Sequence, residues 1–104
     1  MSTQKLLENS TTTETGFLYP MRDVGERTFQ AKVEGTGAVT ATVVIEVTNF
    51  DGDTTNVLTL GTITLSGTTR ATDGFASLAR WGNVRARISA ISGTNAKVNV
   101  NMGA

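Results

Sequence analysis

Neither cysteine nor histidine occurs among the 104 residues. Without cysteine there is no disulfide and no zinc–thiolate site to support a small fold. Without histidine the commonest general base and the commonest metal ligand are both missing, so any bound ion would rely on oxygen ligands alone. A Ser-His-Asp or Cys-His arrangement cannot be assembled, and Lys5, Lys32 and Lys97 lack the paired nucleophile that a Ser-Lys alternative needs. Proline occurs once, at Pro20, and aromatic residues make up only 6% of the chain. Charge of a dominant sign is absent too. Nine acidic residues balance nine basic ones, so no overall field draws the molecule to nucleic acid or to a membrane surface. No run approaches the roughly 20 apolar residues of a membrane helix. Leu6-Leu7 is too short for the apolar segment of a secretory leader, so synthesis in the cytoplasm is expected, with any later export by another route.

Threonine and glycine are abundant while leucine, glutamate and lysine are sparse, a bias toward strands and turns. The length allows one domain. Residues 1–15 are polar and threonine-rich without hydrophobic period, and read as an arm that orders on a neighbour or not at all. Gly16 to Met21 is a compact apolar knot whose proline suits an edge or lead-in segment. Phe17 and Tyr19 there would cover an open end of the domain or plug a neighbouring subunit. The boundary is expected near residue 25, with the arm at 1–25 and the folded domain at 26–104.

Period-two alternation begins at Thr28. Phe29, Ala31 and Val33 share one face, and after Gly35-Thr36-Gly37 the pattern resumes with Val39, Ala41, Val43, Ile45 and Val47. Asn49 to Asp53 reads as a turn. Strands are expected at 57–60 and 62–65, with Gly61 as a bulge, and at 74–78, 84–90 and 96–102. Ser66 to Thr69 and Ser92 to Asn95 read as chain reversals between them. The predicted architecture is an all-β antiparallel sandwich of jelly-roll or Greek-key type.

Candidate chemistry is scarce. Asp51, Asp53 and Asp73 stand beside glycines, where aspartate is ordinarily chosen for turn geometry, and they do not suggest a glycosidase pair. Asp51-Gly52-Asp53-Thr54-Thr55-Asn56 gathers oxygen ligands but lacks EF-hand spacing. Gly35-Thr36-Gly37 lacks the Gly-Lys and helix of a phosphate loop. No catalytic residue, metal site or cofactor is expected. The basic grouping of Arg80, Arg85 and Arg87, with Arg70 as a further candidate, lies near Trp81. Such a set can stack on single-stranded bases. It can equally anchor a protein partner, and zero net charge favours the partner protein. Trp81 is also a common kind of sandwich-edge cap.

The stretch from Phe29 to Met102 resembles small virion structural proteins of tailed bacteriophages. The resemblance rests on Gly37-Ala38-Val39-Thr40-Ala41-Thr42-Val43, Leu60-Gly61-Thr62-Ile63-Thr64-Leu65-Ser66-Gly67, Thr72-Asp73-Gly74-Phe75, Trp81-Gly82-Asn83-Val84-Arg85-Ala86 and Ile91-Ser92-Gly93-Thr94. It covers about three-quarters of the chain and omits the arm. It implies a sandwich domain that decorates or cements a capsid by bridging major capsid protein subunits, with no activity attached, in a virion assembled in the host cytoplasm. Dimers or trimers on symmetry axes are then expected. Neck or tail pieces are alternatives within the particle, and a receptor- or carbohydrate-binding module of a tail or head fibre is the main rival. The protein-interface candidates are Phe17, Tyr19, Arg80, Trp81, Arg85 and Arg87.

Overall fold

The computed structural model describes residues 3–20, 27–78 and 81–103. They are all-β and antiparallel, with no helix among the described residues. Six strands follow in chain order: β1 (Thr3–Ser10), β2 (Glu14–Thr15), β3 (Tyr19–Pro20), β4 (Arg27–Thr48), β5 (Leu58–Ser77) and β6 (Asn83–Gly103). All belong to one sheet. Its order is β1-β6-β4-β5, and β2 and β3 also pair with β6.

Three strands are far longer than the sequence pattern suggests. β4 alone has 22 residues, which would span roughly 70 Å if straight. The molecule measures only 40 × 29 × 17 Å, so the long strands must bend. The bend sits where chain reversals are expected. The ladder between β4 and β5 shifts between Glu34 and Ala38, and that between β4 and β6 shifts on both sides of Thr36. Gly37, Thr69, Gly93 and Asn95 all take positive φ there. Glu34 pairs with Arg70, and Thr36 with Thr94, so the irregular stretches of three strands lie side by side. They form one shared corner rather than three hairpins. Local residue types are the same for a reversal and for a bend; only the pairing register distinguishes them.

The corner brings inner faces together. A Cβ built on Gly61 would lie 2.6 Å from Phe75 Cζ, although both residues belong to β5. Phe75 also packs on Phe29, with ring centroids 5.2 Å apart. The alternating residues fill this interior as their period requires: Val33, Val39, Val43 and Ile45 are fully buried, as are Val84, Val98 and Val100 from β6. The expected irregularity near Gly61 is present, since Ile45 pairs with Gly61 but Glu46 with Thr59, leaving Leu60 as the extra residue. Asp73, expected in a turn, lies within β5 opposite Ala31.

The stretch read as an arm is laid along the molecule's own sheet. β1 runs antiparallel to the end of β6, and Leu6 and Leu7 are buried in the common core. Two register shifts, at Lys5/Leu7 and Leu7/Ser10, let these adjacent leucines both reach the interior. That irregularity explains why no period-two signal marks the segment. Gly16 N donates to Ala86 O at 2.8 Å. A Cβ there would meet Leu6 O at 2.8 Å, so a larger residue could not lie so close to β1.

Candidate functional site

The proposed contact residues divide into two groups when placed on this sheet. Phe17 lies in the short link between β2 and β3, and Tyr19 opens β3, alongside β6. Phe17 projects outward and is 81% exposed, whereas Tyr19 pairs with Val84 and packs against the core. Beside them lies a depression of about 390 Å³ whose lining includes Lys5, Glu8, Glu14, Phe17 and Tyr19. Lys5 and Glu8 form an ion pair at 2.6 Å on its rim. The side-chain hydrogen bond between them, and then their opposite charges, raise the Lys5 pKa and lower that of Glu8.

The arginines behave differently from the expectation of a free basic patch. Arg85 and Arg87 do face away from Val84, Ala86 and Ile88, but both are committed within the molecule. Arg85 Nε donates to Glu46 Oε1 at 2.8 Å, and Arg87 Nε donates to Glu46 Oε2 at 3.2 Å. The register of β4 with β6 sets this up, because Glu46 lies directly opposite Arg85 and Val44 opposite Arg87. Glu46 and Arg85 are nearly enclosed, with side chains 9% and 11% exposed; Arg87 remains 37% exposed. One carboxylate thus anchors two guanidinium groups. Sequence reasoning did not single out Glu46, since one strand offers no clue to its partner across the sheet. Trp81 is half-buried and packs on the core. Arg80 lies outside the described residues.

The turn after β4 uses its oxygens internally. Asp53 Oδ1 accepts from the Thr55 and Asn56 amides at 2.8 and 3.1 Å, and Oδ2 accepts from Asn56 Nδ2 at 2.9 Å. The Asn56 side chain, then the Thr55 and Asn56 amides, hold the Asp53 carboxyl below its ordinary pKa. Asp51 Oδ1 accepts from Asn83 Nδ2 at 2.9 Å, tying the turn to the start of β6. Gly82 N donates to Asn49 Oδ1 at 2.7 Å beside it. Both aspartates act as turn residues. Among the described residues, no three acidic side chains gather as metal ligands would.

Apolar surface is what the molecule leaves uncovered. Besides Phe17, the large side chains of Phe50, Leu58 and Leu78 are 66%, 56% and 72% exposed. Leu58 opens β5 and Leu78 follows its end. The corner sets Gly61 against Phe75 from the two halves of β5, and Phe50 lies in the turn between β4 and β5. Comparison with protein-family models, curated proteins and solved structures finds no match to this chain.

Proposed function

We propose that this chain is a non-enzymatic structural protein of a bacteriophage particle, one that decorates or cements the capsid by bridging subunits of the major capsid protein. The observation that carries the binding role is the exposure of Phe17, Phe50, Leu58 and Leu78 on a small domain whose Glu46, Asp51 and Asp53 carboxylates are all engaged internally. Exposed large apolar side chains of this kind suit contact with another protein. The virion setting rests on the resemblance of Phe29 to Met102 to small phage structural proteins. In this reading the bent sheet acts as a rigid, sandwich-like body in the spirit of a jelly roll or Greek key. The exposed Phe50, Leu58 and Leu78, and Phe17 beside β2 and β3, meet the shell. Association as a homo-oligomer would match symmetric docking sites.

A glycan-binding fibre module would need a platform of exposed aromatics. Tyr19 and Trp81 instead pack against the core, and Phe29 and Phe75 pack on each other, so only Phe17 and Phe50 stand free for stacking. That balance favours the decoration role. The test is the copy number of this chain relative to the major shell protein in purified particles, by quantitative mass spectrometry. A ratio of one or a simple fraction of it is expected. A few dozen copies or fewer would place the chain in the neck, tail or fibre, and its absence from particles would refute a virion role.

A further inference from the structure

The two edges of the sheet are built differently. The β1 side is short and broken by two register shifts, and only the two-residue strands β2 and β3 continue it. The β5 side is a single strand of 20 residues whose one partner in the sheet, among the described residues, is β4. An edge strand presents a row of unpaired N–H and C=O groups, which natural proteins guard with charge, proline, bulges or brevity. β5 is guarded in one half only. Arg70 and Asp73 lie beyond the corner, whereas residues 54–69 contain no charged residue and no proline.

Within that neutral half, Gly61 to Gly67 is uninterrupted. The extra residue Leu60 precedes it and the corner follows it, and each of its residues pairs in unbroken register with Val39 to Ile45. The run reads Gly-Thr-Ile-Thr-Leu-Ser-Gly, and it is a palindrome in chemical class: glycine, hydroxyl, aliphatic, hydroxyl, aliphatic, hydroxyl, glycine. Thr62, Thr64 and Ser66 face solvent, while Ile63 and Leu65 face the core, each 2% exposed.

A two-fold axis perpendicular to a sheet pairs an edge strand antiparallel with its own copy, so every residue meets the position mirrored about the centre. Self-complementarity of this kind is what such an interface requires. We propose that β5 joins the β5 of a second copy through Gly61–Gly67, centred on Thr64. Thr64 then faces its own counterpart, Thr62 faces the copy's Ser66, Ile63 faces the copy's Leu65, and Gly61 faces the copy's Gly67. Hydroxyl meets hydroxyl on the outer face, a favoured cross-strand pairing. Aliphatic meets aliphatic on the inner face, so the core runs on across the junction. No charge opposes the approach. This inference stands apart from the virion reading, and it selects the two-fold dimer over the trimer.

Sedimentation equilibrium over a concentration series tests it, with urea unfolding of each variant to show that the exposed positions leave the fold intact. The wild-type chain is expected to dimerise. Thr62→Lys with Ser66→Lys sets lysine against lysine at two symmetric points and is expected to weaken the dimer roughly tenfold or more, since like charges directly opposite are destabilising. Thr62→Glu with Ser66→Lys sets opposite charges face to face at the same points and is expected to restore dimerisation, now sensitive to salt. A wild-type chain that stays monomeric, or a dimer indifferent to the lysine pair, would overturn the proposal. So would an opposite-charge variant that dissociates as fully as the lysine pair.

Discussion

Phe75 occupies the space that a side chain at position 61 would fill, its ring tip 2.6 Å from where a Cβ on Gly61 would stand. The glycine is therefore a packing requirement of the bent sheet. Gly61→Ala is expected to cost about 1–3 kcal/mol, as overpacking usually does, because the ring must shift and disturb its packing on Phe29. In a Phe75→Leu background the same substitution should cost clearly less. Urea unfolding of the double-mutant cycle measures that coupling, and strictly additive effects would show that residues 61 and 75 do not meet.

Glu46 serves two guanidinium groups, and its removal should be felt more than that of either partner. Glu46→Ala leaves the enclosed Arg85 charge uncompensated, a kind of loss that typically costs about 3–5 kcal/mol. Replacing the half-open Arg87 by alanine should cost about 1 kcal/mol or less, as solvent already screens that pair. A well-packed Glu46→Leu, Arg85→Leu double variant should recover much of the Glu46→Ala loss. Chemical unfolding midpoints check all three.

Asp53 gives a pH dependence with a definite sign. Its folded pKa is depressed by its hydrogen bonds from Asn56 and Thr55. The stabilisation it brings is therefore present above the unfolded value of about 4 and is lost as pH falls through the lower folded value. Wild type should exceed Asp53→Asn in stability at neutral pH, and the gap should close on acidification through that window. A gap that persists unchanged to low pH would mean that the carboxylate charge does not hold this turn.

Removing residues 1–10 should unsettle the whole domain. Leu6 and Leu7 are 3% and 7% exposed, and β1 covers the end of β6. Full burial of a leucine contributes about 1.5–3 kcal/mol, so the truncation should lower the thermal midpoint by many degrees and leave apolar surface open to a reporter dye. An unchanged melting curve would show that this stretch is dispensable to the fold.

Strand faces were legible from the sequence, because alternation marks the face that packs on the core, although Val44, Glu46 and Thr48 on the opposite face of β4 are buried as well. The set Phe29, Ala31, Val33, Val39, Ala41, Val43, Ile45 and Val47 is buried without exception. Strand length was not legible. Glycine and asparagine at Gly35–Gly37, Gly67 and Gly93–Asn95 mark departures from regular strand, and nothing in the residue types separates a reversal from a bend that three strands share. Segment 3–10 was missed because its shifted register erases the alternation. The contact candidates were legible as residue types only: Phe17 is exposed and Tyr19 packs on the core, while Arg85 and Arg87 are held by a glutamate some forty positions earlier in the chain.

The pairing of Thr3 with Gly103, and of Ser10 with Val98, sets an order of events during synthesis. Strand β1 has no partner until β6 follows it. Segments β4 and β5 can close on each other early, across the short turn at Asp51–Gly52, yet β4 waits for β6 along its other side. Until then Leu6 and Leu7 lack their cover, and this side of the sheet can be completed only once β6 has emerged. A nascent chain stalled short of residue 98 should thus be a target for chaperones, whatever the finished molecule goes on to assemble with.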